Sequence, residues 1–552
     1  MGVSAGFAVL AAFSLLAGLP EGVLALPLGP PWGAASLALD GLSAWFLLLL
    51  GMVGACTSLF ALGAPPGPAR SLPPFPLLLA GMALSLTAAD AFLLLLGLGL
   101  AALAAGALVA VEHGQAEARM AARRHLILAA LAAGCLMPAC GLLAGPAGAY
   151  DFAAMRGVPP EGWRAGAVLA LGMLGAGALA GQLPFAQGAA PGHAAALLSG
   201  AMPGLTIYVL ARLLADLCGP AQPSWWGLPL LAAGAVSTLL GALQALREED
   251  GQSLLAWAGI GHLGLAVSGL GLALAFRGAD LGALAGLAAG AALLQALGQG
   301  VFMALLVLAA GAVAHTAGSR KLDRLGGLIH AMPVTAACTL IGVLAASCLP
   351  PLSGFAGAWL LLQSVLAGWR VGFIGFQLAA AAATVLAALA LALVAAAMLR
   401  LFGMAFLGRP RSPRGAGAHE VSRPERWAML LPAGLTLLLG LFPGVLLLLA
   451  EPALGVLTGR AAAPVRDLAL LAGDRPAAYA PLVLALVLAL SGGLLAWLLR
   501  RRSPLAAARG PAWDGGFIAP PDYLPFGDPL TQPSASGLAQ PLRRLLGEPR
   551  AA

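Results

Sequence analysis

The sequence predicts an all-α membrane protein that crosses the bilayer many times. Of its 552 residues, 60% are hydrophobic and only 9% are charged, and the mean hydropathy is +0.93. In a soluble domain, about a quarter of the residues are usually charged. Apolar runs of about 20 residues, the length that spans a bilayer core, follow one another to about residue 500. Nearly all of the chain must therefore face lipid or other apolar helices.

We predict about 14 or 15 transmembrane helices from these runs. The candidate segments are 4–26, 41–63, 73–89, 91–111, 123–144, 163–182, 193–216, 224–246, 253–275, 282–313, 332–349, 352–368, 371–405, 427–450 and 479–500. After residue 502 the chain becomes Pro-rich and polar, with Trp513, Phe517 and Tyr523 interspersed. We interpret residues 503–552 as an extramembrane tail, either disordered or docked on a partner subunit.

Prolines predict breaks in some of these helices. Residues 183–192 contain Pro184, and residues 348–354 contain Pro350 and Pro351. Pro203 marks a third candidate break. A proline removes a backbone hydrogen bond and frees a carbonyl inside the membrane. Such breaks are tolerated where the freed group is buried in protein or lines a wet cavity.

Loop charges predict the orientation of the chain. Loop 112–125 holds three arginines and loop 319–324 holds two arginines and Lys321. Both loops follow an even number of spans, so both are cytoplasmic if the N-terminus is cytoplasmic. Loop 400–426 is also Arg-rich but follows an odd number. Either the count slips by one near residues 350–405, or this loop breaks the rule.

Several other functions are disfavoured. No dense basic run interleaved with aromatic residues appears, which argues against nucleic-acid binding. The cysteines form no C-x-x-C pair, so we interpret them as buried small hydrophobic residues and expect no metal or iron–sulfur cluster. They are Cys56, Cys135, Cys140, Cys218, Cys338 and Cys348. No nucleophile–base pair or phosphate loop is visible, so we expect no catalytic site and no cofactor in this chain.

A few charged residues have simple structural interpretations. Asp40 and Asp90 each precede an apolar segment, where we expect them to cap a helix. Arg212 and Asp216 are four residues apart and can pair on one helix face.

Several motifs together point to one family. The most specific block is 322–355, which reads LDRLGGL, then MP, then LPPLSGF. Weaker ones are LDGLS at 39–43, APGH at 190–193, LLAW at 254–257 and WDGG at 513–516. These segments resemble the antiporter-like membrane subunits of respiratory complex I and the group-4 hydrogenases, above all component B of hydrogenase-4 and formate hydrogenlyase.

The resemblance implies a fold and a setting. It implies two inverted repeats with broken helices, and a midplane line of protonatable Glu, Lys and His residues that carries protons. It divides the chain into N-terminal helices (1–72), an antiporter-like core (73–368), C-terminal helices (369–502) and the tail (503–552). It also implies a multi-pass protein of a bacterial inner membrane, with other membrane subunits of a redox complex as partners.

The ionisable residues of this line are nevertheless missing. The family's first carboxylate falls on or next to Gly99, and the lysine before Pro184 falls on Leu179. The remaining axial positions fall on Gly204, Gln252, Gln295, Gln299, Met303 and Ala358. None of these side chains can carry a proton across the membrane, since Gln forms hydrogen bonds but does not titrate.

Two histidines remain at family-like positions, His193 and His262. Each is either a neutral buried imidazole bonded to a carbonyl or part of a residual proton relay. We therefore hold two hypotheses. The favoured one is a largely structural subunit of a complex-I-like or hydrogenase-like assembly with weak or lost pumping. The alternative is an active proton or cation transporter that uses His193, His262 and water.

Overall fold

The computed structural model describes most of the chain. The described residues are 1–17, 22–27, 29, 33–64, 73–146, 148–182, 184, 190–219, 222–459, 465–466, 469–471, 478–502, 532–537, 540–541 and 544. Most of the predicted tail, including Trp513, Phe517 and Tyr523, lies outside them.

Helices make up nearly all of the described structure, as the sequence predicts. The α-helices are α1 (Gly2–Ala17), α2 (Gly41–Gly63), α3 (Pro74–Thr87), α4 (Ala91–Val109), α5 (Ala116–Ala144), α6 (Phe152–Gly157), α7 (Gly162–Gly181), α8 (Gly192–Leu210), α9 (Gly227–Arg247), α10 (Gly251–Gly278), α11 (Gly282–Ala317), α12 (Leu328–Ala331), α13 (Pro333–Ala346), α14 (Ser353–Leu366), α15 (Ile374–Phe406), α16 (Pro413–Ala416), α17 (Arg423–Leu441), α18 (Pro443–Leu449), α19 (Glu451–Thr458) and α20 (Pro481–Arg502). A π-helical segment, Ala211–Leu217, continues α8.

Each of the fifteen predicted segments overlaps at least one of these helices. Among the described residues, ten helices are long and apolar enough to cross a bilayer. The pair α17 and α18, bent by 88°, makes an eleventh if it counts as one span. Four apolar helices are shorter, namely α1, α3, α13 and α14.

Short strands appear where the sequence predicts only helix or loop. Val23–Ala25 (β1) pairs antiparallel with Ser36–Ala38 (β2), so the first apolar segment leaves the helix after Ala17 and does not continue to residue 26. Val465–Arg466 (β3), Ala469–Leu471 (β4) and Ala478–Tyr479 (β5) form a second small sheet. These links between helices satisfy their backbone groups by pairing with each other.

The helices differ in how deeply they lie in the bundle. In the apolar 18-residue stretch of α8, α10 and α11, at least 89% is buried inside the molecule, whereas none of the corresponding stretch of α20 is buried. The three helices α8, α10 and α11 therefore form the centre of the molecule.

The break after α13 explains the uncertain helix count. The helices α13 and α14 have 14 residues each, about 21 Å of helix, against a bilayer core of about 30 Å. The segment between α11 and α12 contacts the segment that follows α15, since the Gly327 amide donates to the Leu407 carbonyl at 2.9 Å. The Ser412 hydroxyl likewise donates to the Arg324 carbonyl at 3.2 Å. Both Arg-rich loops thus lie on one face, which we call the inner face, and α13 with α14 makes one broken span.

Loop 400–426 therefore obeys the positive-inside rule, and the count slips by one between residues 350 and 405. The predicted break at 183–192 falls between α7, which ends at Gly181, and α8, which begins at Gly192; residues 183 and 185–189 of it lie outside the described residues. The break at Pro203 was a wrong prediction, since α8 continues through it. Only one backbone bond is lost there, and membrane helices tolerate a proline where neighbouring groups pack around it.

Candidate functional site

The centre of the bundle holds a cluster of neutral polar side chains on α10, α11 and α14. His262 Nδ1 lies 3.2 Å from Gln295 Nε2, and the His262 ring packs edge-on against Phe302 with ring centroids 5.1 Å apart. One turn along α11, Gln299 Nε2 donates to the Gly259 carbonyl at 2.8 Å. Ser353 completes the cluster, because a Cβ on Gly298 would lie 3.4 Å from its side chain. We call these four residues, His262, Gln295, Gln299 and Ser353, the central polar cluster.

Each member of the central polar cluster keeps one buried atom without a hydrogen bond of normal geometry. These atoms are Gln295 Oε1, Gln299 Oε1, Ser353 Oγ and His262 Nε2, the last facing the Ala346 carbonyl. All four side chains are at most 3% exposed. Because buried polar atoms are normally satisfied by protein or ordered water, the cluster has the chemistry of a hydrated site.

The charge content of these central helices is low. Among the described residues, α11, α13 and α14 contain no Asp, Glu, Lys or Arg. In α8 and α10 the charged residues lie at the outer ends, as Arg212, Asp216 and Arg277 do. His262 is therefore the one titratable side chain of the central polar cluster.

The two candidate histidines lie at different depths. His193 is in the first turn of α8 and packs edge-on against Phe75, with ring centroids 5.1 Å apart. Its neighbour Gly192 faces Gly311 of α11, since a Cβ added to Gly192 would lie 3.4 Å from the Gly311 Cα. His262 meets α11 at Gln295 and Phe302, which are about 14 to 24 Å along the helix from Gly311. The structure does not bring the two histidines together.

The positions on which we predict that the family's ionisable residues fall do not share one surface. Gln299 and Met303 are fully buried against α10, and Leu179 is buried in α7. A Cβ on Gly204 would meet Leu49 of α2 at 2.7 Å. Ala358 is half-buried, whereas Gly99 lies on the exposed face of α4, where a Cβ would meet nothing within 4 Å.

Gln252 lies beside a cavity at the inner face. It accepts a hydrogen bond from Arg320 Nη1 at 3.1 Å. The cavity has a volume of about 30 Å³, room for about two water molecules. We call it the inner cavity; its lining includes Gln252, Leu306, Ala310, Arg320, Leu322, Leu325, Leu401, Ala405 and Phe406. Met303 lies on α11 between Leu306 and Gln299, so an apolar side chain separates the cavity from the central polar cluster.

Charged residues gather instead at the outer face, the face opposite the Arg-rich loops. Arg212 Nη1 lies 2.6 Å from both Asp40 Oδ2 and Asp216 Oδ2. Arg156 forms a two-pronged pair with Asp216, at 2.8 and 2.9 Å. Burial opposes ionisation of Asp40, but the charge and hydrogen bonds of Arg212 outweigh it and lower the pKa of this carboxyl to about 2. We call Asp40, Arg156, Arg212 and Asp216 the outer ion-pair cluster.

The structure confirms the local predictions and adds partners that the sequence did not reveal. Asp40 caps α2 through the Ser43 amide at 2.8 Å, and Asp90 caps α4 through the Leu93 amide at 2.7 Å. The Arg212–Asp216 pair also forms. The pairing of Asp40 with Arg212 was not predicted. A charge beside an apolar segment is costly unless it is paired, and this cost could have indicated from the sequence that Asp40 has a buried partner.

One further buried histidine was also missed. His125 of α5 is fully buried, and its Nε2 lies 3.1 Å from the Ala102 carbonyl of α4. The six cysteines are buried free thiols, as predicted.

Comparisons with known proteins extend over most of the chain. Residues 88–389 match the family model described as NADH:quinone oxidoreductase/Mrp antiporter, TM. Hydrogenase-4 component B of Escherichia coli strain K12 is 34% identical over 420 residues, 74% of this chain and 61% of that protein. Protein Rv0083 of Mycobacterium tuberculosis strain H37Rv is 34% identical over 541 residues, 94% of this chain and 81% of that protein.

A solved structure has the same fold over nearly the whole length. A chain of the membrane-bound sulfane sulfur reductase, an archaeal respiratory membrane complex, superimposes with a TM-score of 0.77 at 19% identity. The match covers 98% of this chain and 86% of that one. At this identity the likeness shows the fold alone. The chain spans less than two thirds of the length of hydrogenase-4 component B.

Proposed function

The chain belongs to the NADH:quinone oxidoreductase/Mrp antiporter transmembrane family, and from this premise we propose that it is a largely structural subunit of a redox complex. It is an antiporter-like membrane protein with many transmembrane helices. The proposed complex is of the complex I or group-4 hydrogenase type, lies in a bacterial inner membrane and contains further membrane subunits. Within it, this subunit moves few or no protons.

One observation carries the proposal: the central polar cluster offers a single titratable side chain. A proton path through low dielectric needs a series of groups that can load and release a charge, and such groups are expensive to bury. Gln295 and Gln299 are neutral at every pH of interest. Met303 is fully buried and has no protonatable group. His262 alone cannot form a series.

A second function is favoured by the unpartnered atoms of the central polar cluster. Four buried polar atoms without a hydrogen bond of normal geometry create the conditions for bound water. Water between His262 and the two glutamines would support an active proton or cation transporter. In it, His262 would be the group at the centre of the bundle that takes up and releases a proton. His193, about 14 Å or more away along α11, would be a separate exchanging group near the inner face.

The two functions predict different results for histidine variants of the complete complex in proteoliposomes. We expect His262→Gln and His193→Gln to leave the number of protons moved per electron pair unchanged, because neither ring exchanges a proton during turnover. The measurement is the quenching of a pH-sensitive dye at a fixed rate of electron transfer. His330→Gln, in the short helix α12 at the inner face, is the matched control.

A fall in proton movement in His262→Gln at unchanged electron transfer would support the transporter and reject the structural role. So would a pH gradient that disappears when the complex is assembled without this subunit while electron transfer continues.

A further inference from the structure

The chain docks a piece of its own tail on the inner face. Residues 532–537 lie against loop 319–325 and the end of α15. We call these six residues the strap.

The centre of the strap is held by two charged side chains from different segments. The Ala535 amide donates to Asp323 Oδ1 at 2.6 Å. The Ala535 carbonyl accepts from Arg400 Nη1 at 2.9 Å. Ala535 is fully buried, and Arg400 is only 4% exposed. Both backbone groups of one residue therefore join loop 319–325 to α15, and hydrogen bonds to charged groups are the stronger kind.

Two more contacts extend this attachment. Arg411 Nη1 donates to the Pro533 carbonyl at 2.8 Å and lies 4.0 Å from Asp323. The Arg409 amide donates to the Gln532 side chain at 3.4 Å. The strap thus bonds with the loop after α11 and with both the end of α15 and the loop that follows it.

The residues that hold the strap flank the walls of the inner cavity. Asp323 lies between the cavity-lining residues Leu322 and Leu325, and Arg400 precedes the cavity-lining Leu401. The bonds to Ala535 therefore tie one wall of the cavity to the other. Without them, the contact between the walls would rest on loop hydrogen bonds such as that of Gly327 with Leu407.

We propose that the strap is a seal: residues 532–537 hold loop 319–325 and the end of α15 together and so limit access from the inner compartment to the inner cavity and to Gln252. The seal goes beyond the proposed function, because it does not depend on whether the subunit moves protons.

The test measures how fast a thiol inside the inner cavity is modified. Ala310→Cys places the thiol on the α11 wall of the cavity. The complete complex is studied in inverted vesicles, whose inner face is outward, with a charged methanethiosulfonate that does not cross membranes. Labelling at each cysteine is read by mass spectrometry. A chain that ends at residue 531 lacks the strap.

We expect labelling of Ala310→Cys to become at least about tenfold faster without the strap. A factor of ten corresponds to 1.4 kcal/mol, roughly the contribution of one or two hydrogen bonds. The native Cys140, 1% exposed on α5, reports on general unfolding and should stay unlabelled. Equal rates with and without the strap would overturn the proposal.

If truncation also exposes Cys140, a second pair of variants tests whether the strap acts as a seal. Asp323→Ala removes the acceptor of the Ala535 amide, whereas Lys321→Ala removes an exposed charge from the same loop. We expect faster labelling at Ala310→Cys in Asp323→Ala alone. Equal labelling in the two variants would reject the seal.

Discussion

At the scale of single residues, this protein separates its charges from its centre. Asp40 and Arg212 are buried at the outer face beside Asp216, which is 9% exposed, and each charge lies within 2.6 Å of an opposite one. The central polar cluster has neutral amides and one imidazole. Buried charges are kept only where a partner and hydrogen bonds offset their desolvation. The outer ion-pair cluster meets that condition, whereas the centre holds no carboxylate among the described residues of α11, α13 and α14.

We expect Asp40→Asn to destabilise the protein by about 3 kcal/mol, because it leaves a buried arginine with one fewer negative partner. Asparagine can still cap α2, so the variant removes the charge and keeps the cap. With its lowered pKa, Asp40 is fully ionised at neutral pH, and the whole effect is present there. The measurement is the midpoint of thermal unfolding of the purified complex at pH 7.

The control for this variant is Glu161→Gln, which neutralises an exposed carboxylate on the same face. Its midpoint should match that of the unmodified protein, because isolated surface charges contribute little. If both variants unfold at the same temperature, the outer ion-pair cluster does not stabilise the fold.

At the scale of elements, the break between α13 and α14 depends on close backbone contact. Cys348 has a left-handed φ of 51°, and the chain turns there into Ser353 and Gly354. A Cβ on Gly354 would overlap the carbonyl oxygen of Ala345, at the end of α13. The absence of a side chain at Gly354 therefore allows α14 to start against α13, and this places Ser353 beside Gly298 of α11.

We expect Gly354→Ala to destabilise the subunit by about 1–3 kcal/mol, the range for overpacked sites. The added methyl group must push α14 away from α13. Gly99→Ala is the matched control, since its Cβ meets nothing within 4 Å and alanine favours helix over glycine by about 1 kcal/mol. The amount of assembled complex and its unfolding midpoint measure both effects. Equal behaviour of the two variants would contradict the close contact.

At the scale of the whole molecule, the contact between the two Arg-rich loops fixes the topology. Loop 319–325 and the segment after α15 share hydrogen bonds, so they must lie on one side of the membrane. The outer ion-pair cluster then lies on the other side, because Asp40 precedes α2 and the far end of this helix reaches the inner face, where the Gly63 carbonyl accepts from the Ser422 hydroxyl at 3.2 Å. The strap binds the face with the basic loops.

Cysteine labelling checks this topology. We expect Lys321→Cys and His419→Cys, both on exposed positions, to react with a membrane-impermeant maleimide in inverted vesicles. Glu161→Cys should react in right-side-out vesicles instead. If Lys321→Cys and His419→Cys reacted from opposite sides, α13 and α14 would be two separate spans and the shared inner face would be wrong.

The sequence by itself determined the class of the protein and its local structure. Apolar length predicts each transmembrane segment because the transfer of a helix into lipid depends on its own composition. The caps at Asp40 and Asp90 and the Arg212–Asp216 pair were predicted because their partners lie three or four residues away. The family resemblance was likewise carried by short motifs.

Only the tertiary structure decided which distant groups meet. Asp40 and Arg212 are 172 residues apart, and Asp323 lies 212 residues from Ala535. The family's first carboxylate was predicted to fall on or next to Gly99, and only the rotation of α4 shows that Gly99 itself lies on the exposed face. The physical reason is the same in each case. Periodicity and composition describe one segment, whereas the rotation and depth of each helix follow from packing against its neighbours.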